Sequence, residues 1–251
     1  MPGMFSKNPA ERLAHVRPVR PLHFPVSEPA GEHLGQSRRH WDLCMLLAFL
    51  VRRIVTPAHS YGADQFVYWN ARDSRRCLAP DVFVKLGVPD EQFDSWKTWE
   101  RGAPELGVEI ISASDQRDDD WDEKLARYRA AGIPEIVRFD AEDRTRPIRI
   151  WDHVSGDVVE RAPDDPDLLF CHALGLWWVV LDDPAYGPML RLARDREGRD
   201  PLPTPDERRV LAERAKRDAE QMLHDETEAR RRAESEIERL KEALAKAQRG
   251  E

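Results

Sequence analysis

The chain has 251 residues, of which 34% are charged and 41% hydrophobic, and its formal net charge is -8. This hydrophobic fraction is enough for a packed core, which excludes wholesale disorder. The longest purely apolar run, 43–51, is far shorter than the roughly 20 residues that cross a bilayer, which excludes a membrane protein. An acidic chain does not bind nucleic acid by bulk electrostatics, so DNA binding would need local basic residues and a metal ion.

The cysteines predict a reducing environment. Cys44, Cys77 and Cys171 are widely separated and odd in number, which argues against a disulfide framework and favours the cytoplasm. No signal-peptide pattern follows the first methionine, so secretion is not expected. The sequence contains no C-x-x-C or H-x-x-x-H pair, so a structural zinc site is not predicted either.

The first part of the chain predicts an irregular arm, a helix and two strands. Residues 1–36 carry many prolines and show little periodicity, which indicates the arm. Over 38–55, apolar residues recur at three- and four-residue steps, which predicts a helix that Pro57 ends. Aromatic and β-branched runs over 65–69 and 81–85 predict the strands.

The middle of the chain alternates strands with helices. After a polar connection, the patterns predict a strand over 106–111, a helix over 120–131 that ends at Gly132, a strand over 135–139, and a hairpin of 148–151 with 157–160. This alternation predicts an α/β domain with a mixed sheet and flanking helices over residues 37–200.

Residues 206–249 form a separate helical tail in this interpretation. They contain neither glycine nor proline, and their 12 acidic and 12 basic residues balance. A heptad-like 4-3-4-3 spacing joins Ala233, Ile237, Leu240, Leu244 and Ala247. The pattern favours a coiled coil that dimerises or binds a partner, and a single solvated helix is the alternative.

Two carboxylates and a lysine are the candidates for metal binding and catalysis. Glu109 lies inside an otherwise apolar strand, where a buried charge needs a partner or a metal ion. Asp81 begins another predicted strand, and if the two strands are neighbours both carboxylates can converge as ligands for Mg²⁺. Lys124 shares one face of the following helix with Tyr128 and could reach them.

The ordered motifs resemble a known family of nucleases. They are YGADQFVYW at 61–69, APDVFV at 79–84, SWKTW at 95–99, GVEIISAS at 107–114, and the segments 120–128 and 132–140. The set is similar to the Uma-two family of restriction endonucleases, within the PD-(D/E)XK nuclease superfamily, over roughly residues 38–195. An alanine-, arginine- and glutamate-rich helical tail is also common in such proteins.

This resemblance implies a restriction-endonuclease-like core and Mg²⁺-dependent hydrolysis of DNA by a metal-activated water, with Mn²⁺ as a substitute ion. It assigns Asp81 and Glu109 as metal ligands, with the Ile110 carbonyl as a third. The lysine that the superfamily usually has two positions after the glutamate is replaced here by Ile111. Relatives of this type supply it from the next helix, which makes Lys124 the catalytic candidate and Lys85 the runner-up.

Other residues receive weaker predictions. Gln65 is expected near the site. His40 and Asp42 on the first helix are expected at the surface, and a position beside the site is the alternative, because members of the superfamily often have an acidic residue there. Trp96 and Trp99 are expected to pack rather than to stack on bases. The best basic cluster for phosphates is Arg38, Arg39, Arg52 and Arg53, for which a solvated helix face is the simpler interpretation.

The prediction from sequence is thus a cytoplasmic, homodimeric, Mg²⁺-dependent DNA endonuclease. The rival is a catalytically inactive scaffold that acts through its coiled-coil tail. The rival gains some support from residues 91–123, whose 11 acidic and three basic residues repel phosphate unless a metal is bound. The sequence does not separate DNA from RNA as the substrate.

Overall fold

The computed structural model describes residues 37–111 and 118–249, so the arm predicted over 1–36 lies outside the described residues. The helices and strands of the described part are, in chain order, α1 (Arg38–Val55), β1 (Ser60–Gly62), β2 (Val67–Tyr68), β3 (Cys77–Leu78), β4 (Val82–Lys85), β5 (Trp96–Lys97), α2 (Thr98–Arg101), β6 (Leu106–Ile110), α3 (Asp118–Ala131), β7 (Glu135–Phe139), β8 (Ile148–Val154), β9 (Asp157–Glu160), β10 (Phe170–Cys171), β11 (Leu176–Asp183), β12 (Gly187–Ala193) and α4 (Pro205–Arg249).

A six-stranded mixed sheet forms the centre of the fold. Its strand order is β1-β4-β6-β7-β8-β9, and within it β6 and β7 run parallel while the other neighbours are antiparallel. The predicted hairpin between β8 and β9 is present, with positive φ at both Ser155 and Gly156, as a tight two-residue turn requires. The predicted mixed α/β fold with a long C-terminal helix is confirmed.

Helices cover the sheet on two sides. The apolar side of α1, with Leu47 and Val51, packs in one cluster with Val82 and Val108 of the sheet. Tyr128 of α3 packs in a second cluster that includes Phe83. Because side chains alternate along a strand, even-numbered residues of β4 and β6 face α1 and odd-numbered residues face α3.

Two smaller sheets were not predicted. The first has the order β10-β11-β12 and the second β3-β2-β5. The polar connection expected before β6 contains β5 and α2, and Trp96 of β5 is fully buried, which fits the packing role expected for it. The two-residue strands β3, β5 and β10 are too short to give a periodic pattern, so sequence periodicity does not detect them. By contrast, β11 and β12 have eight and seven residues and are long enough to be predicted, so their absence from the prediction is an oversight.

The C-terminal helix is anchored at its start. The backbone N–H of Glu207 donates to the Thr204 hydroxyl at 3.2 Å, and the Thr204 N–H donates to the Glu207 carboxylate at 2.7 Å, which is a capping box. The buried Arg191 of β12 donates to the same carboxylate at 2.8 Å. Every described side chain of α4 is exposed, over a length of about 67 Å.

None of the described helices has the length and apolar character needed to cross a membrane.

One buried arginine joins the main sheet to the sheet β10-β11-β12. Arg161 donates to both carboxylate oxygens of Asp152, at 2.7 and 2.8 Å, and to Glu135 at 3.0 Å. Glu135 is itself buried and also accepts the backbone N–H groups of His172 and Ala173, at 3.2 and 3.0 Å. Removing the guanidinium would leave the Glu135 carboxylate buried without a cation.

We therefore expect Arg161→Met to lower the free energy of unfolding by about 3–5 kcal/mol, because it strands a buried charge. Arg146→Met is the matched control, since Arg146 also pairs with a glutamate but its side chain is 40% exposed. The control should lose less than about 1 kcal/mol in the same urea titration. Equal losses in the two variants would contradict the role given to Arg161.

Candidate active site

The pairing of β4 with β6 places two carboxylates side by side. Val82 lies opposite Val108 and Phe83 opposite Gly107, so the same register, continued by one residue, sets Asp81 opposite Glu109. Both residues are buried, with exposed fractions of 6% and 2%. The Asp81 carboxylate accepts the backbone N–H of Ile110, the neighbour of Glu109, at 2.6 Å, and its charge contributes to the raised pKa of Glu109. The structure thus brings together the two predicted metal ligands.

Helix α3 supplies both donors to Glu109. The Lys124 ammonium lies 2.7 Å from Oε2, and the Tyr128 hydroxyl donates to Oε1 at 2.7 Å. Lys124 and Tyr128 are one helical turn apart, so their side chains lie on the same face. Gly107 permits this arrangement, because a Cβ there would overlap the ring of Tyr128. The predicted lysine therefore lies at the predicted glutamate.

The electrostatics of this pocket leave Glu109 difficult to ionise. The pKa of Glu109 is raised from 4.5 to about 7, mainly by burial. The Lys124 charge and the hydrogen bonds from Lys124 and Tyr128 act against this rise, and the Asp81 charge adds to it. Burial also raises the pKa of Tyr128 well above its usual value, so Tyr128 remains a neutral donor. A further cation at this position would favour the charged carboxylate.

The Asp81 carboxylate has contacts with both the sheet and α1. The backbone N–H of Ile110 donates to its Oδ2 at 2.6 Å, and the Nε2 of His40 lies 3.3 Å from its Oδ1. The Sγ of Cys44 lies 3.3 Å from the same Nε2. Burial, followed by the Asp81 carboxylate, raises the pKa of the Cys44 thiol far above its usual value.

The expected surface position of His40 is wrong. His40 is buried, because it lies on the side of α1 that packs against the sheet, one turn before Cys44 and two before Leu47. The spacing of His40, Cys44, Leu47 and Val51 follows the apolar stripe of the helix, and this signal could have placed His40 at the buried face. Asp42 remains partly exposed and lies 3.9 Å from Arg38.

Asp64 is a further carboxylate that the sequence analysis missed. It lies in a turn with a positive φ of 50°, and its backbone N–H donates to the carbonyls of Pro80 and Asp81, at 3.1 and 3.3 Å. Its charge contributes to the raised pKa of Cys44. A single Asp in a turn is common in sequences, so only the fold shows that it adjoins the site.

The remaining candidates have other contacts. Lys85 lies at the opposite end of β4 from Asp81, where its ammonium contacts Glu105 at 2.5 Å and the Ala103 carbonyl at 3.0 Å. Gln65 donates to the Phe93 carbonyl at 3.0 Å. These contacts place Lys85 away from the two carboxylates and favour Lys124 over it.

The proposed basic cluster on α1 is spread over the helix surface. Arg38 and Arg39 are exposed, and Arg39 contacts Glu142 at 2.6 Å and also donates to the Tyr186 carbonyl. Arg52 and Arg53 are exposed in the last turns of the helix. Trp99 is also exposed, unlike Trp96.

Comparison with known proteins identifies the family. The model of the Uma2 (Uma-two) family, described as "Putative restriction endonuclease", matches residues 31–180. The chain belongs to this family. The match includes Asp81, Glu109 and Lys124, and it confirms the family predicted from the motifs.

Further comparisons add one structure. A crystal structure titled as a "putative nuclease belonging to DUF820", from Anabaena variabilis, is 14% identical with a TM-score of 0.36, and the match covers 64% of this chain and 78% of that one. A search of curated proteins finds no significant match to this Uma2 member.

The pKa of Glu109 predicts a pH dependence for the metal-free protein. Because the pKa is raised on folding, the contribution of Glu109 to stability is fully present below about pH 4.5 and is lost as the pH rises through about 7. This rise in the pKa corresponds to a contribution of about 3 kcal/mol to the free energy of unfolding. Urea titrations in chelator at about pH 5 and about pH 8 should show this loss in the wild type and a smaller one in Glu109→Gln.

Glu105→Gln is the control for this pH experiment, because Glu105 also contacts a lysine but lies at the other end of the β4–β6 pair. It should keep the wild-type pH dependence. Identical profiles for the wild type and Glu109→Gln would contradict the electrostatic description of the pocket.

Proposed function

We propose that this Uma2 protein is a metal-dependent DNA endonuclease whose Mg²⁺ is bound by Asp81 and Glu109, with Mn²⁺ as a substitute. The observation that carries the proposal is the pair of buried carboxylates of Asp81, directly before β4, and Glu109 on β6, with the Ile110 N–H on the first and the Lys124 ammonium on the second. Membership of a family described as "Putative restriction endonuclease" supports a nuclease function.

The residues of the site fit a hard divalent ion. The two opposed carboxylates provide oxygen donors, which are the ligands that Mg²⁺ prefers. Each carboxylate oxygen has two acceptor sites, so the contacts with Lys124, Tyr128 and the Ile110 N–H leave acceptor capacity for an ion. When both buried carboxylates are ionised they face one ammonium, and a divalent cation would offset the excess negative charge and favour ionised Glu109. The Ile110 carbonyl, next to Glu109, is the proposed third ligand.

When bound, the ion would lower the pKa of a coordinated water and stabilise charge on the phosphoryl oxygens. The chain itself fixes the geometry: the Ile110 N–H orients Asp81, and Tyr128 orients Glu109. Lys124 is 34% exposed, so its ammonium can contact both the buried carboxylate and a substrate in solvent. We assign Lys124 the role of holding the attacking water or neutralising a phosphate oxygen.

The cleavage prediction concerns Glu109 and Lys124. With Mg²⁺ or Mn²⁺, the wild-type chain should nick supercoiled plasmid DNA, and chelator should abolish the nicking. Glu109→Gln and Lys124→Met should each reduce the initial rate by on the order of 100-fold or more, because one removes a ligand charge and the other the ammonium.

Glu105→Gln and Lys85→Met are the matched controls for cleavage. They change the same residue types in a lysine–glutamate pair at the far end of β4, and they should retain the wild-type rate. Metal-dependent nicking that persists at full rate in Glu109→Gln would overturn the site assignment. A parallel assay with single-stranded RNA distinguishes the substrate class.

A second function is favoured by α4. This helix exposes all its described side chains over 45 residues, including Ile237, Leu240 and Leu244 of the heptad-like seam. We propose that a second copy of the chain covers this seam in a coiled-coil homodimer. The scaffold hypothesis places the cellular role in this helix, and it predicts that Glu109→Gln preserves the role while truncation before α4 abolishes it.

A cytoplasmic location is also part of the proposal. It is supported by the three described cysteines, which are free thiols, as is usual in a reducing compartment.

The dimer prediction is tested by light scattering. The full chain should give twice its monomer mass of 29.0 kDa, and Leu240→Glu combined with Leu244→Glu should give the monomer mass, because charges replace the seam. Lys246→Glu, at a heptad position that faces away from the seam, serves as the control and should stay dimeric. A monomeric wild type would contradict the coiled-coil proposal.

A further inference from the structure

Three potential metal ligands meet between α1 and the start of β4. They are the Nε2 of His40, the Sγ of Cys44 and a carboxylate oxygen of Asp81, and they all lie within 4.8 Å of one another. All three residues are buried. His40 and Cys44 lie one helical turn apart on α1, so the helix itself sets their spacing.

The distances match the edges of a tetrahedral metal site. With the usual Zn–S, Zn–N and Zn–O bond lengths, tetrahedral angles put ligand atoms about 3.4–3.6 Å apart. The structure gives 3.3 Å from His40 Nε2 to Asp81 Oδ1 and 3.3 Å from His40 Nε2 to Cys44 Sγ. Both distances lie within a few tenths of an ångström of these values, and the Cys44 Sγ and the Asp81 carboxylate lie within 4.8 Å of each other.

The same geometry excludes a cysteine nucleophile. In a Cys-His-Asp triad, the two ring nitrogens contact different partners, so that one accepts the thiol proton and the other is oriented by the carboxylate. Here a single nitrogen, Nε2, faces both Cys44 and Asp81.

We propose that His40, Cys44 and Asp81 form a second divalent-metal site, which binds Zn²⁺ in preference to Mg²⁺. A thiolate and an imidazole are ligands for Zn²⁺ and similar ions, whereas Mg²⁺ takes oxygen ligands. On binding, the Cys44 thiol gives its proton to solvent as the Zn–S bond forms, so no redox partner is needed. The site does not depend on the nuclease proposal, although it shares Asp81 with it.

Because Asp81 belongs to both proposed metal sites, a zinc ion bound to it would also affect the structure of the candidate active site. Oδ1 of Asp81 faces His40, whereas Oδ2 accepts the Ile110 N–H. An ion at Oδ1 would join α1 to the start of β4 and fix the rotamer of Asp81 beside Glu109. Zinc binding should therefore stabilise the fold whether or not the protein cleaves DNA.

Cobalt is the probe that tests this site. The full-length chain, reduced and free of any histidine tag, is titrated with Co²⁺ and read by absorption spectroscopy. The wild type should bind one Co²⁺ with a thiolate charge-transfer band and tetrahedral d–d bands, and Zn²⁺ but not Mg²⁺ should remove both. Cys44→Ser should lose the charge-transfer band and weaken Co²⁺ binding by on the order of 100-fold.

Cys77→Ser is the matched control, because Cys77 is a free cysteine with the same 8% exposure as Cys44. It should keep the wild-type spectrum. X-ray absorption of the zinc-loaded wild type supplies a test that needs no variant: one sulfur ligand at about 2.3 Å, with nitrogen and oxygen, is expected. An absence of Co²⁺ binding, a shell without sulfur, or a charge-transfer band that persists in Cys44→Ser would each overturn the proposal.

Discussion

The antiparallel register of β4 and β6 decides where every charged group of the candidate site lies. With Val82 opposite Val108, Asp81 and Glu109 come to the same end of the strand pair, and Glu109 faces α3. A slip of one residue would send the Glu109 side chain to the apolar face under α1, away from Lys124 and Tyr128. The valines on that face are fully buried, so the hydrophobic core itself holds the register that the site needs.

The site concentrates negative charge in a place with little water. Asp81 and Glu109 are buried beside one ammonium, and the raised pKa of Glu109 is the physical sign of that imbalance. Burying a carboxylate is unfavourable unless a cation or hydrogen bonds stabilise it. Two divalent sites on either side of Asp81, one with oxygen ligands and one with the His40 and Cys44 side chains, would both stabilise the arrangement. Bound divalent ions would also offset the negative charge that an acidic protein presents to a phosphate backbone.

Much of the architecture could be predicted from the sequence, because strong local patterns specify it. The apolar spacing of α1 gave its bounds, and the β-branched run of β7 gave that strand. The short strands β3, β5 and β10 escaped detection, because two residues are too few to show the period of a strand. Similarly, the family motifs named Asp81, Glu109 and Lys124. The apolar stripe of α1 could have placed His40 at the buried face, whereas Asp64 joins the site through a turn that no local pattern reveals.

The most direct test of the account is a crystal structure of the full chain soaked in Mn²⁺, with anomalous scattering measured at the manganese edge. The account predicts an anomalous peak within bonding distance of both the Asp81 and the Glu109 carboxylates, with Lys124 still beside Glu109. Ordered Asp81 and Glu109 side chains with no peak between them, in a crystal that binds Mn²⁺ elsewhere, would contradict it.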